Sequence, residues 1–398
     1  MECYSIGRDA KVDVNYLAMK VILSVESIRY PLTGIGRYTY ELAKHLRDEP
    51  DIDALRYFAG RGFVDEIPKP REESNSGHKL KRWAQRSYVV TEAYRLSSAL
   101  LKAEALRGWS DFIYHGPNFF LPRFSGIRVA TFHDLSPFKW TQCLTPLRAR
   151  YLQRELTATL TRADVLITDS AYTRQELAGY FSWPLEKIFS VPLASSPEFY
   201  PRRADELAAP LAGHGLAPGS YTLFVGTIEP RKNIETLLAA YSRLSLSQRQ
   251  QTPLVLCGYQ GWRSESIHAQ IKKAEADGWA RYLGFTSAAD LPILFAGARL
   301  FVFPSHYEGF GLPVLEAMSS GVPVVCSDST SLPEVAGGAA LMCGTDDVEQ
   351  FTQLIHQGLT DEVWRSFAIE IGLKNSAQYT WARCAAETVA VYHRALAF

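Results

Sequence analysis

From Met19 onward, short apolar runs bounded by turn residues alternate with stretches of helical period, and they do so in two series. The first series contains Met19-Lys-Val-Ile-Leu-Ser-Val25, then a Gly-bearing turn at Gly34–Gly36, a helix over about Tyr38–Leu46 and a strand near Ala54–Phe58. It continues through the apolar runs Phe112–Tyr114, Ile127–Phe132, Val165–Thr168 and Ile188–Val191. The second is more regular: strands at Tyr221–Thr227, Leu254–Gly258, Arg281–Phe285, Leu300–Pro304 and Val322–Ser327 alternate with helices at Ile234–Leu244, Ser264–Ala276, Ala288–Gly297 and Leu312–Ser319. Apolar runs without strict two-residue alternation, separated by helical segments, predict parallel sheets covered on both faces. Between the series, Ser195–Gly219 carries Pro197, Pro201, Pro210 and Pro218 and reads as a linker.

The expected fold class is therefore α/β, with two Rossmann-like doubly wound domains facing each other across a cleft. The expected boundaries are 1–18 for a loosely ordered extension without a packing period, 19–200 for the first domain, 201–219 for the linker and 220–380 for the second domain. A closing helix over 381–398 is expected to pack back on the first domain. At 398 residues the chain is long enough for two cores.

Basic and acidic residues balance at 42 each, so no overall field points to nucleic acid as a partner. The six cysteines are scattered, with no metal-ligand spacing, which fits a reducing cytoplasm better than a disulfide framework. The first 18 residues carry Glu2, Arg8, Asp9, Lys11 and Asp13 where a signal peptide needs an apolar core, and no run reaches spanning length.

Ligands of doubly wound sheets bind outside the carboxyl ends of the strands. Two segments there carry chemistry. In Pro304-Ser-His-Tyr-Glu-Gly-Phe-Gly-Leu-Pro-Val-Leu-Glu-Ala-Met318 a strand ends, a loop bearing Gly309 and Gly311 follows, and Pro313 sits where a first helical turn tolerates a missing N–H. Free amides at such a helix start attract phosphate oxygens or sugar hydroxyls. Glu308 and Glu316, eight residues apart, can face one cleft, where two carboxylates suit neutral hydroxyl donors better than phosphate. Cations stand in Glu229-Pro-Arg-Lys-Asn233, where Arg231 and Lys232 follow a strand and read as lying on a surface turn.

Glu308…Glu316 within EGFGLPVLEAM, the strand and loop VGTIEPRKN, and Tyr379-Thr-Trp-Ala-Arg383 before a final helix together resemble the retaining nucleotide-sugar glycosyltransferases of family four, which have the B-type fold. The resemblance spans nearly all of residues 19–398. It implies that Arg231 and Lys232 bind a donor diphosphate beside Gly226. It further implies that Glu308, Gly309, Phe310, Gly311 and Leu312 hold the transferred sugar, and that Glu316 binds the ribose. Gly34 and Gly36 of Thr33-Gly-Ile-Gly-Arg37 match the family's glycine loop, although GIG stands where many members have GG. His133 of Phe132-His-Asp-Leu135 matches a histidine that meets the donor sugar. From the residues alone, Gly34 and Gly36 equally suit a tight turn, and His133 a structural histidine held by Asp134.

The GIGRY and His-Asp-Leu segments are similar to mannosyltransferases of bacterial surface polysaccharide assembly, which makes GDP-mannose the expected donor and a growing glycan the expected acceptor. GDP-rhamnose or a UDP-sugar are alternative donors, and an epimerase or phosphorylase on the same fold is an alternative activity. A silent nucleotide-sugar-binding protein fits least, because every site residue is present. No D-x-D falls in the cleft, so neither a metal nor another cofactor is expected. Residues 19–200 carry a net charge of +5 and residues 201–398 one of −4. The excess concentrates in Lys79–Arg107, where seven basic residues interleave with aromatics; the pattern suits an ordinary helix with one solvated face, and it suits a stretch lying peripherally on an anionic inner membrane beside a lipid-linked acceptor.

Overall fold

The computed structural model describes residues 19–32, 34–69 and 99–398. The 1–18 extension and most of the Lys79–Arg107 segment lie outside them. Two sheets organise the rest. The first has seven strands in the order β3-β2-β1-β4-β5-β6-β7: β1 (Met19–Ser24), β2 (Ile52–Ala59), β3 (Gly62–Val64), β4 (Ile113–Gly116), β5 (Ile127–Phe132), β6 (Val165–Thr168) and β7 (Ile188–Ser190). All pairs are parallel except the edge hairpin of β2 with β3.

The second sheet is wholly parallel, in the order β10-β9-β8-β11-β12-β13. Its strands are β8 (Thr222–Val225), β9 (Leu254–Cys257), β10 (Ala280–Gly284), β11 (Leu300–Phe303), β12 (Val324–Ser327) and β13 (Ala340–Cys343). Strands β9, β11 and β12 are buried at every position because helices cover both faces, which is why they read as unbroken apolar runs.

Strand order reverses at β1/β4 in the first sheet and at β8/β11 in the second. At such a point the connecting helices leave on opposite faces, opening a crevice at the carboxyl ends. Helix α1 (Gly34–His45) begins at Gly34 itself, so the two glycines form its first turn instead of a turn that precedes it. Ahead of β6's neighbour β7 runs α2 (Ala171–Phe181), capped by Ser170, whose side chain accepts from the Thr173 amide.

The proline-rich stretch is not all linker. It holds α3 (Ala204–Gly213), with Asp205 and Glu206 in its first turn and Leu207 and Leu211, one turn apart, buried in the core. Four prolines masked that amphipathic spacing, and Pro210 stands inside the helix. In the second domain α4 (Ile234–Ser242) follows β8, α5 (Leu312–Ser319) follows β11, and α6 (Leu332–Ala336) follows β12. The last helix, α7 (Trp381–Ala397), packs against α1, β5 and β6 of the first domain, burying Trp381, Ala385, Val389 and Tyr392.

Candidate active site

Arg231 and Lys232 follow β8, Glu308 follows β11, and these strands pair across the switch point, so residues 76 and 77 positions apart meet. Lys232 Nζ lies 2.5 Å from Glu308 Oε1, and Arg231 Nη1 lies 3.4 Å from Glu308 Oε2. Ser305 Oγ donates to Glu308 Oε1 at 2.6 Å. Arg231 is fixed further by Glu229 at 2.8 Å and by the Tyr307 carbonyl at 2.7 Å.

Lys232 and Glu308 are buried, each to 8% relative exposure, and Arg231 is partly buried, so the surface turn expected for the two cations is overturned. The chain between β8 and α4 tightens into a short 3-10 turn, Pro230–Lys232, which tucks both side chains under the Ser305–Glu308 loop. Burial pushes Glu308 toward its neutral form, but Lys232 and Arg231 outweigh it and hold the carboxyl below its ordinary range. Burial likewise pulls Lys232 down, with Glu308 opposing. A buried carboxylate fastened to two cations is an ion cluster that stays charged because it is paired.

Gly309 sits where the domains touch. A side chain there would meet the His133 carbonyl oxygen at 1.7 Å and Asp134 Cβ at 3.0 Å, so only glycine fits. Its own carbonyl accepts from Ser170 Oγ at 2.6 Å and Thr173 Oγ1 at 3.0 Å, at the start of α2. Gly311 has φ of +112°, a left-handed conformation that turns the chain into α5. The amides of Phe310, Gly311 and Leu312 donate to no acceptor among the described residues. They form the expected helix-start site for oxygen atoms. Gly226 has a milder constraint, a side chain there meeting Phe224 at 3.3 Å.

Glu316 stands on α5 at 9% exposure in a setting unlike that of Glu308. Burial pushes its carboxyl up to about 8, and Arg37 of the first domain offsets this only in part. One carboxyl of the pair is thus ionised and the other holds its proton near neutrality. Arg37 itself donates to Ser196 Oγ at 2.5 Å. Of the two glycines beside it, Gly34 is exposed with open space around it and Gly36 is buried.

His133 follows β5, buried at 8% exposure. Its Nδ1 donates to Asp169 Oδ2 at 2.7 Å and its Nε2 to the Pro117 carbonyl at 2.9 Å. With both ring nitrogens facing acceptors the ring carries two protons. Burial opposes that charge, and Asp169 outweighs it, raising the pKa. The partner is therefore Asp169, not Asp134, and both N–H groups are taken up by protein, leaving neither for a donor sugar. Asp134 instead caps the next turn, Oδ1 accepting from the Ser136 amide at 2.8 Å and Ser136 Oγ at 2.7 Å.

Sequence reading missed Asp169, Asn233, Ser305 and Tyr307. Asn233 has φ of +56°, and its side-chain amide donates to the Pro304 and Thr345 carbonyls at 3.0 and 2.7 Å, locking the two loops together. An asparagine directly before a helix was a usable signal, since it tolerates this conformation. Tyr307 accepts from the Leu135 amide at 2.8 Å and donates to Glu176, which marks nothing in sequence. At the edge of the basic segment, Lys102 is paired to Glu26 at 2.6 Å, while Leu100 and Leu101 are exposed.

Two Rossmann-like domains, closed on a buried cation–carboxylate cluster at a switch point, define a glycosyltransferase of the B type. Residues 217–374 match the family described as "Glycosyl transferases group 1", and residues 32–197 that described as "Glycosyltransferase Family 4". The "O-antigen chain mannosyltransferase B" of Escherichia coli is 43% identical over 378 residues, 94% of this chain and 99% of that protein. The "Serotype-specific mannosyltransferase WbdA" of the same species is 34% identical over 265 residues, 65% of this chain but 32% of WbdA. Among solved structures, sucrose-phosphate synthase from Thermosynechococcus elongatus superposes over 95% of this chain and 99% of its own with a TM-score of 0.68, at 20% identity, a likeness of fold. The chain belongs to this glycosyltransferase family and is an enzyme, a glycosyltransferase.

Proposed function

We propose that the enzyme moves mannose from GDP-mannose to a lipid-linked glycan during assembly of O-antigen, with retention at the anomeric carbon. The observation that carries this reading is the 43% identity to an O-antigen chain mannosyltransferase across 94% of the chain. The geometry supports it: a leaving nucleoside diphosphate draws on Arg231, Lys232 and the free amides at the start of α5, all preorganised before the substrate arrives. Arg231 and Lys232 face Glu229 and Glu308, so the cluster is neutral by formal charge and the amides add the surplus attraction a dianion needs. Glu308 then holds hydroxyls of the transferred sugar, and Glu316, protonated near neutrality, meets the ribose.

In this reading the two cations supply the leaving-group charge without a metal, and activity persists in a chelator; abolition by chelation and recovery with a divalent cation would overturn it. The enzyme works at the cytoplasmic face of the membrane, touching anionic lipid through the Lys79–Arg107 segment. The deciding experiment is calorimetric titration with GDP, UDP and ADP in parallel, then transfer from GDP-mannose to a mannose-terminated lipid-linked acceptor. Tightest binding of GDP and incorporation of mannose are expected. Preference for UDP or ADP replaces the donor and leaves the glycosyltransferase assignment standing.

A further inference from the structure

Asp134 lies in the seam between the domains. Its Cβ is 3.0 Å from where a side chain on Gly309 would begin, so the residue lines the wall opposite the donor loop. Its charge is felt on both sides, by His133 and Asp169 in its own domain and by Arg231 and Tyr307 in the other. Oδ1 is used twice, by the amide and the hydroxyl of Ser136. Oδ2 has no hydrogen-bond partner among the described residues, and the residue is only partly buried.

A fixed carboxylate with one free oxygen next to Arg231 repels an incoming diphosphate and so works against donor binding. Its chemistry suits a neutral partner with a proton to give. The polar side chains around it are committed: His133 to Asp169 and Pro117, Ser170 and Thr173 to Gly309, Tyr307 to Leu135 and Glu176. We propose that Asp134 binds the acceptor, its free oxygen taking the hydrogen bond of the attacking sugar hydroxyl and aiming that oxygen at the anomeric carbon held beside Glu308. The Ser136 contacts hold the carboxylate in one rotamer, and a charge-assisted bond to a hydroxyl is both shorter and stronger than a neutral one. The proposal rests on the mannose-acceptor reading above.

The test uses Asp134→Asn in the full chain. An asparagine oxygen keeps both Ser136 contacts and replaces only the free oxygen with an amide. With GDP-mannose and a mannose-terminated oligosaccharide, transfer is expected to fall roughly 100-fold, the scale of a misaimed nucleophile. Release of GDP in the absence of acceptor, and GDP affinity, are expected to stay level or rise, because a repelling charge has gone. As a readout apart from turnover, binding of methyl α-mannoside and its monodeoxy analogues is followed by NMR. In the wild type one deoxy position loses affinity, and in Asp134→Asn that loss disappears. Transfer within threefold of wild type, an equal fall in transfer and acceptor-free release, or a deoxy penalty that survives the substitution each overturn the proposal. A wild-type enzyme that binds no mannoside overturns the acceptor reading instead.

Discussion

The two halves of this enzyme share a strand order and place opposite chemistry at their strand ends. In the second domain the switch point between β8 and β11 holds ions: Glu229 pairs with Arg231 at 2.8 Å, and Glu308 with Arg231 at 3.4 Å and with Lys232 at 2.5 Å. In the first domain the corresponding wall is built from hydrogen bonds at β4, β5 and β6, with His133 clasped by Asp169 and the Pro117 carbonyl and with His115 buried and neutral. Fixed charge gathers at the β8/β11 switch point, and in the opposite wall the His133 ring is paired to Asp169. In the proposed reaction that division gives donor activation to one half and acceptor placement to the other, and each substitution below tests it.

The largest effect is expected at the ion cluster. Lys232→Ala leaves Glu308 buried with Arg231 as its remaining cation, at 3.4 Å. Breaking a buried pair from one side costs about 3–5 kcal/mol of stability. Loss of a preorganised donor to the leaving group lowers kcat/KM a further 100- to 1000-fold, about 2.7–4 kcal/mol. Chemical denaturation and steady-state kinetics separate the two losses. Pairing Lys232→Met with Glu308→Gln is expected to return most of the stability and none of the activity. Recovery of activity in the double variant would show that the cluster serves folding alone.

Much of the fold was legible because parallel strands buried on both faces announce themselves as apolar runs. The second domain was clearer than the first, since each of its strands is followed by a helix before the next strand begins. The start of α1 was displaced because glycines read as a turn, and α3 was hidden by prolines. At the site, Glu308, Arg231 and Lys232 were legible from their positions after strands, yet their burial was not: the 3-10 turn that folds them inward depends on loops 70 or more residues away. Asp169 was invisible for the same reason, since only the pairing of β5 with β6 sets it against His133.

A second, smaller effect distinguishes the two carboxyls of the donor loop. The pKa of Glu316 is raised from 4.5 to about 8 by burial. An acid whose folded value is raised contributes stability below its unfolded value and loses it as pH climbs to the folded one. Stability is therefore expected to decline between pH 4.5 and 8 through this group, and Glu316→Gln flattens that part of the profile while weakening nucleotide binding. Glu308, held low by its cations, has the opposite sign, its contribution fading as pH falls through the acid range. Urea midpoints across pH for both variants check the contrast; an unaltered slope in Glu316→Gln would place the decline elsewhere, with the His133–Asp169 pair the next group to replace.

The smallest effect concerns the helix that ties the halves together. Tyr392 of α7 has its hydroxyl 2.7 Å from His115 Nδ1, and His115 Nε2 lies 2.8 Å from Thr131 Oγ1, which is 3.0 Å from the Tyr38 hydroxyl. All four side chains are buried, and burial holds the His115 imidazole down to about 3, so it is neutral throughout the working range. A neutral ring has one N–H and one bare nitrogen, and here each has a hydroxyl to match it. Tyr392→Phe keeps the ring that fills the core and removes one partner, leaving a buried imidazole nitrogen unsatisfied at about 1–3 kcal/mol. Because the chain stops short of the cations and of Asp134, the variant is expected to melt earlier while its kcat and donor affinity at low temperature match the wild type. A loss of acceptor-dependent transfer at full stability would show instead that α7 sets the position of the first domain's wall, and that placing the acceptor depends on how the last helix is held.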